Sequence, residues 1–497
     1  MTKRTITKVC IIGCGTYGSY LIRRLTEKLG EGVQITAIEI GDAHIKNEKE
    51  MGVEAESLYA AASFRGRYFG LGGTSARWGG QVLFFDERDN PNKDPNWNDI
   101  IAINQQYRKT VLNNLLGSVT AKMDDPGEVK QDVKTGIWLK YSKRNIFKQL
   151  DRKTTQSIEV LKNLRVVDFV FQGDTIKAVV CRDKGGNENT IEADVFYLTA
   201  GAIESCRLLL DIDQRHAFLP ANDLGKHYGD HLSVELFRVK GRRPILGGQD
   251  FLPRLYKGSL ITKRIVVRSQ SGRIGFAHFI YNKEVKVFSS IKKALFGVRQ
   301  IDFNAHDVLD GFVFLVKFGF SVFFLKKMYA HHNNWSLQLE IEQAFPNGNE
   351  IGLSDKVDQY GVAAAKLDWE VSEDDRHTIA EIKSDLARRL EKEGIPYEDV
   401  YDSDLGATKI EDVYHPAGFI RMGNDGQAVL DLDGKVKGVA NLYHFSTAMF
   451  PSAKSTSPTA AGFCFVEHHL DSCQLSANSH QTTTGGYQLE ADSYQTL

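Results

Sequence analysis

The stretch that most constrains this chain is Val9-Cys10-Ile11-Ile12 followed at once by Gly13-Cys14-Gly15-Thr16-Tyr17-Gly18. The apolar run predicts a buried strand, Ser19 to Leu29 carries helical periodicity, and a second apolar run from Val33 to Ile38 ends in Glu39. Strand, glycine-rich turn, helix, strand and acid, in that order, are the G-x-G-x-x-G fingerprint in the setting it requires. Gly13 permits the tight turn, Gly15 lets the backbone approach a pyrophosphate, and Gly18 lets helix and strand pack closely. The helix that opens at Thr16 and Tyr17 turns its free N–H groups and positive dipole end toward the phosphates. Glu39 stands 21 residues after Gly18, where a carboxylate accepts both ribose hydroxyls and repels a 2′-phosphate. These residues predict an adenine dinucleotide on a parallel α/β unit. They do not separate NAD from FAD.

Bulk properties exclude several classes. A net charge of −1 over 497 residues offers no electrostatic argument for nucleic acid. Hydrophobic residues at 42% and charged residues at 25% suit a soluble globular protein, long enough for two to four domains. None of the 6 cysteines forms a C-x-x-C pair, so buried reduced thiols are expected rather than disulfides or a metal site. The N-terminus enters a strand within about eight residues without a signal-peptide core, which leads to an expectation of a cytoplasmic protein.

Apolar strand-like regions recur far apart, at 9–12, 193–200 and 441–445. This predicts a nucleotide-binding domain assembled from segments 1–97, 151–232 and 411–473. A substrate domain and lid would then comprise 98–150 and 233–410. Residues 98–150 read as mostly helical. Residues 163–181 read as a β-hairpin turning at Gln172-Gly173-Asp174, and 233–281 and 335–370 are rich in strand formers. Residues 372–394 read as a helix, with Ser372 as N-cap and Gly394 near its stop. Gly311 to Leu325 is apolar except for Lys317 and is shorter than the roughly 20 residues a bilayer needs. It reads first as a buried or dimer-interface helix, and alternatively as an apolar lid or membrane-facing patch. The tail 474–497, rich in Ser, Thr, Gln and Gly, is expected to be disordered.

Further motifs select among dinucleotide enzymes. Residues 70–80 read GLGGTSARWGG, 195–210 VFYLTAGAIESCRLLL, 224–231 LGKHYGDH, 414–423 YHPAGFIRMG and 441–459 NLYHFSTAMFPSAKSTSPT. Together, and in this order, they resemble the glucose–methanol–choline (GMC) family of flavoprotein oxidoreductases, from about residue 7 to 472. The resemblance implies an α/β (α+β overall) architecture. A Rossmann-like FAD-binding domain would be built from discontinuous segments, with an inserted substrate domain on an antiparallel sheet covered by helices. It also implies FAD as cofactor and oxidation of an alcohol to a carbonyl.

Under that resemblance, Gly72, Gly73, Thr74 and Ser75 form a loop that approaches pyrophosphate and flavin without side-chain obstruction, with Trp78 just beyond. Ala200 and Gly201 end a strand against the cofactor. Val166 or Val167 matches the segment that contacts adenine through its backbone, and Val167 is taken here. Several family members link a histidine of the first loop covalently to the flavin. Arg77 holds that position here and cannot form the bond, so FAD is expected to be non-covalent.

His415 matches the family's catalytic histidine, and an imidazole suits removal of a hydroxyl proton as hydride leaves carbon. The second catalytic position, usually His or Asn before a proline, holds Ser457, followed by Pro458 and Thr459. Ser457 suits an N-cap and Pro458 the first turn of a helix whose positive end faces the flavin. Ser446 and Thr447 replace the usual acid and small residue at the ribityl contact. His444 is expected in the core, and His227 and His231 are read as structural rather than catalytic.

The resulting expectation is an FAD-dependent oxidoreductase acting on a CH–OH group in specialised metabolism, with a small-molecule substrate; the phenylalanines of 312–324 suit a bulky or lipophilic one, and core packing explains them equally well. No nucleic acid, metal or transmembrane segment is expected, and a homo-oligomer is compatible with the sequence. The alternatives are another flavin reaction on the same fold, a desaturation or a redox-neutral step, or a non-catalytic FAD-binding partner.

Overall fold

A computed structural model describes residues 6–57, 66–117, 132–220, 223–241, 244–281, 286, 305–329, 334–401 and 410–472. The tail 474–497 and Cys473 lie outside the described residues. Strand β1 (Thr7–Ile12) leads through the glycine turn into helix α1 (Thr16–Leu29) and strand β2 (Val33–Glu39). Strand β3 (Glu159–Lys162), strand β4 (Val195–Leu198), helix α2 (Ala202–His216), strand β5 (Leu442–His444) and helix α3 (Thr459–Ser472) complete the unit. The five strands form one parallel sheet in the order β5-β4-β1-β2-β3. Most apolar residues of β1, β2 and β4 are buried on both faces, as a parallel sheet covered by helices requires, while Val160 and Leu161 of the edge strand β3 are only partly buried. This is a Rossmann-type unit whose strands come from three distant parts of the chain.

A second, antiparallel sheet supplies the opposite wall. Its main path runs Tyr397–Asp399, His231–Lys240, Asn334–Glu342, Ile274–Tyr281, Ser259–Arg268, Val133–Trp138 and Gln81–Val82. The hairpin pairs Arg165–Gln172 with Thr175–Arg182 around Gly173. Helix Glu373–Lys392 starts where the sequence predicts, with Ser372 and Asp375 forming a reciprocal capping box.

Two expectations change. Among the described residues of 98–150, α-helix is confined to the part within Pro95–Leu116, with short 3-10 turns at Tyr141–Lys143 and Phe147–Gln149, and Val133–Trp138 is a strand of the large sheet. Its Lys134 conceals the pattern, since that lysine is buried against an acid rather than solvated. Residues of the Gly311–Leu325 segment lie in helix Ala305–Phe320 and the turn that follows, but the segment is not buried within the chain. Phe314 is inside, while Phe312, Val316, Phe320, Phe323, Phe324 and Leu325 are each more than half exposed. No described helix is long and apolar enough to cross a membrane.

Candidate active site

A cavity of about 740 Å³ lies between the Rossmann unit and the antiparallel sheet. Its first end is the fingerprint. Gly13 has φ +100°, and a Cβ there would stand 2.7 Å from Ala200 Cα, so only glycine fits the turn. Gly18 faces away from the cavity and packs α1 onto the turn, where an added Cβ would sit 2.0 Å from the Gly13 carbonyl oxygen. No side chain caps α1 and its first turn holds no acid, while Gly15, Thr16 and Tyr17 line the cavity. The first-turn N–H groups of this helix are therefore free for an anion.

Glu39 also lines the cavity and is almost fully buried. Its carboxylate accepts from the backbone N–H groups of Cys14, Gly41 and Gly70, each at 2.9 Å. Burial raises its pKa, and those three donors oppose the rise. The acid thus ties the turn, the end of β2 and the 70–75 loop together, leaving lone-pair capacity for about one further donor.

The other predicted cofactor residues divide into two groups. Gly73, Thr74, Trp78, Ala200, Gly201, Ser446, Thr447 and Thr459 line the cavity. Gly72, Ser75, Val167 and Pro458 do not. Gly72 has φ +95° and packs against Asn145, and Ser75 is buried, with its hydroxyl donating to Gly72 O at 2.6 Å. Val167 is a correction. Strand alternation turns Val166 to the cavity, whereas Val167 packs with Met51, Val53, Phe69, Tyr360 and Val362. The Val167 carbonyl is already taken by Arg215 at 2.9 Å. The α3 boundary is a second correction. The Pro458 carbonyl accepts from Gly462 N at 2.9 Å and the helix begins at Thr459, so Pro458 takes the cap position and Ser457 precedes it.

His415 and Ser457 both line this cavity. Ser446 is held by local bonds. His444 Nδ1 lies 2.9 Å from Leu198 O, and its Nε2 lies 2.8 Å from Ser446 Oγ, so His444 is a core histidine that locks the 446 turn. Burial lowers its pKa to about 3. His227 Nδ1 lies 2.8 Å from Asn347 O, outside the cavity lining. Burial lowers the pKa of His415 well below the ordinary imidazole value, with His231 and Arg264 pushing the same way. The ring is therefore neutral, and able to accept a proton, at neutral pH.

The sequence did not single out Arg264 or Glu340, and His231 was read from it as structural. Arg264 is only 7% exposed and lines the cavity beside His415. Its guanidinium lies 3.8 Å from the Phe276 ring centroid, donates to Ser457 Oγ at 3.4 Å and bonds the Gln81 side-chain oxygen. Burial lowers its pKa to about 10, opposed by Glu340, which lines the same cavity. His231, fully buried, lies 3.0 Å from His415 between the two Nδ1 atoms. The only available signal was alternation in 259–268, and nothing in it distinguishes an inward arginine from an outward one. His231, Glu340 and His415 offer ligand atoms within 4.8 Å of one another, a spacing able to hold a cation. The positive Arg264 beside them and the bond already joining the two rings oppose that use.

A second charged group lines the wall near the 66–69 loop. Burial alone would raise the Glu204 pKa, but Arg165, Arg207 and Arg67 hold it at about 2. This carboxylate stays ionised, as a buried acid among guanidinium groups must.

Residues 346–464 match the family model described as GMC oxidoreductase. That match spans about a quarter of the chain. The matched GMC region contains His415, Ser446, Thr447, Ser457, Pro458 and Thr459, while the glycine fingerprint, His231 and Arg264 lie outside it. A C-glycoside 3-oxidase from Microbacterium trichothecenolyticum is 31% identical over 118 residues. That match spans 23% of this chain and 22% of the relative, so it covers less than a quarter of the relative's length. The fold is similar to the crystal structure of pyridoxine 4-oxidase from Mesorbium loti, with a TM-score of 0.60 at 14% identity. The likeness covers 94% of this chain and 99% of that one.

Proposed function

We propose that this GMC protein is an FAD-dependent oxidoreductase that oxidises a CH–OH group to a carbonyl, with His415 as the base. The observation that carries the proposal is one cavity with two chemically distinct ends. One end has the uncapped helix N-terminus at Gly15, Thr16 and Tyr17, the other a neutral imidazole at His415. The first end fits FAD, because free helix N–H groups and a side-chain-free turn are what a pyrophosphate needs. Gly13, Gly15, Thr16, Tyr17 and Glu39 would hold the adenosine and pyrophosphate half. Gly73, Thr74, Trp78, Ala200, Gly201, Ser446, Thr447 and Thr459 would hold the remainder. Arg77 lines the cavity where a histidyl bond would otherwise form, which supports non-covalent FAD. When bound, FAD supplies the acceptor for a hydride leaving the substrate carbon.

The chain's own part is proton removal and orientation. His415 takes the hydroxyl proton, and the resulting positive charge stays on the imidazole. Ser457 keeps a hydroxyl hydrogen to donate to the substrate oxygen, since its oxygen accepts from Arg264. The N-terminus of α3 adds positive potential at the cavity wall through Thr459. The Rossmann strands and the antiparallel sheet divide the labour between 1–97, 151–232 and 411–473 on the cofactor side and 98–150 and 233–410 on the substrate side. The two relatives are named as oxidases, of pyridoxine and of a C-glycoside, which favours a hydroxyl-bearing small molecule here. The modified partner position at Ser457 supports a specialised substrate.

The test is anaerobic mixing of the holoprotein with benzyl alcohol, pyridoxine and glucose. Bleaching of the flavin that falls on the order of 100-fold or more in His415→Ala supports the proposal. Bleaching unaffected by that change assigns a different flavin reaction, and intact colour with every alcohol leaves a binding protein.

A further inference from the structure

His231 lies on strand His231–Lys240 of the antiparallel sheet and is completely buried. Its two ring nitrogens have different partners. Nε2 lies 2.6 Å from the carbonyl oxygen of Lys454, and Nδ1 lies 3.0 Å from His415 Nδ1. A carbonyl only accepts, so His231 Nε2 must carry the hydrogen. Burial lowers the His231 pKa to about 4, so the ring is neutral at pH 7 and its Nδ1 is a bare lone pair. That lone pair requires a donor, and the atom facing it is His415 Nδ1. His415 is also neutral, so a hydrogen on Nδ1 leaves Nε2 unprotonated. The chemistry of one backbone carbonyl therefore propagates through two rings and decides which nitrogen of His415 is basic.

The surrounding geometry holds both rings in place. Asp230 Oδ1 accepts from the backbone N–H groups of His231 and His415, at 2.6 and 2.9 Å. The rings stand at 85° with centroids 5.2 Å apart, and Phe276 meets His231 edge-on.

We propose that His231 is a positioning residue: it holds His415 in the Nδ1–H tautomer and leaves His415 Nε2 as the atom that accepts the substrate proton. The inference rests on the proposed role of His415 as base. When the proton arrives at Nε2, the Nδ1–H bond to His231 persists and shares the imidazolium charge, so His415 need not reorient during the reaction.

The experiment uses ¹⁵N-histidine-labelled holoprotein and long-range ¹H–¹⁵N correlation spectra, with His415 and His231 assigned from His415→Ala and His231→Gln. The expected spectrum shows His415 protonated at Nδ1 and bare at Nε2, and His231 the reverse. In His231→Gln the side-chain oxygen accepts and its NH₂ donates to Lys454, so His415 keeps the Nδ1–H form. In His231→Leu the acceptor is gone, and the Nε2–H form of His415 appears. Benzyl alcohol, pyridoxine and glucose are the kinetic probes. With whichever of them bleaches the flavin, His231→Leu slows reduction on the order of 10- to 100-fold with little change in KM, and His231→Gln restores most of the rate. A native His415 protonated at Nε2, or an unaltered His415 spectrum in a folded His231→Leu, overturns the proposal. Failure of the base assignment is separate, because it would show as unaltered bleaching in His415→Ala whatever the tautomer.

Discussion

Lys134→Met is the sharpest test of how the wall behind the reaction centre is built. Lys134 and Asp89 form a fully buried ion pair, with side-chain exposures of 2% and 0%. Lys134 Nζ also donates to Thr456 Oγ1 at 2.9 Å, and Asp89 Oδ1 accepts from Ser455 N at 3.1 Å. The pair therefore anchors the two residues that precede Ser457 and Pro458. Methionine keeps most of the lysine stem but leaves Asp89 as a buried charge without its cation. Breaking one side of such a pair costs about 3–5 kcal/mol. An unfolding entropy of about 2.1 cal/mol/K per residue, taken over the 497 residues, amounts to about 1 kcal/mol per degree. Calorimetry should then show Tm lowered by about 3–5 °C. Removing both charges in Lys134→Met/Asp89→Leu should recover at least half of that loss, because the unpaired buried carboxylate is gone. Flavin reduction should stay impaired in the double variant, because Ser455 and Thr456 have lost their anchors. A single variant that loses less than about 1 °C, or a double variant no more stable than the single, would refute the reasoning.

Four further outcomes follow from the same structure. Gly18→Ala places a Cβ 2.0 Å from Gly13 O, so α1 must back away from the turn. We expect about 1–3 kcal/mol of destabilisation together with loss of FAD on desalting, and full retention of yellow colour would contradict this. His415 faces His231, Arg264, Glu340 and the Asp230 carboxyl, and Arg264 is one cause of its lowered pKa. Arg264→Met should therefore move the acid limb of kcat/KM toward higher pH; a limb that stays put or falls counts against Arg264. His231, His444 and His469 have folded pKa values of about 4, 3 and 4 against an ordinary 6.5. The unfolded chain takes up these protons first, so this stability is complete above pH 6.5 and is lost as pH falls toward 4. At pH 5 the loss is on the order of 2 kcal/mol for each ring, and equal urea midpoints at pH 7 and 5 would exclude it. Acid precipitation should leave the flavin in the supernatant, and a yellow pellet would show a covalent bond despite Arg77.

The Rossmann unit was legible because its signals are local. Gly13 and Gly18 encode a turn whose conformation and close packing only glycine allows, and the apolar runs around it read as buried strands. The motif around His415 was legible for a similar reason, since its residues are close together in the chain. The helix at 373–392 could be read from its periodicity and from Ser372 as its N-cap. The opposite wall was not legible. Lys134 and Arg264 are directly paired across neighbouring strands, and only that register turns both inward. A charged residue in an alternating strand reads as solvent-facing until its partners, here Asp89, Gln81 and Ser457, are seen around it. Val167 failed by one position for the same reason, because a shift of one residue along a strand exchanges its two faces. His231 was judged structural from its motif, and its place against His415 depends on two segments 184 residues apart. The sequence by itself determined the cofactor-binding turn and the candidate base. Tertiary packing alone decided that His231 faces one ring nitrogen of His415 and that Arg264 stands beside it, because these groups meet only when the two sheets close on one cavity.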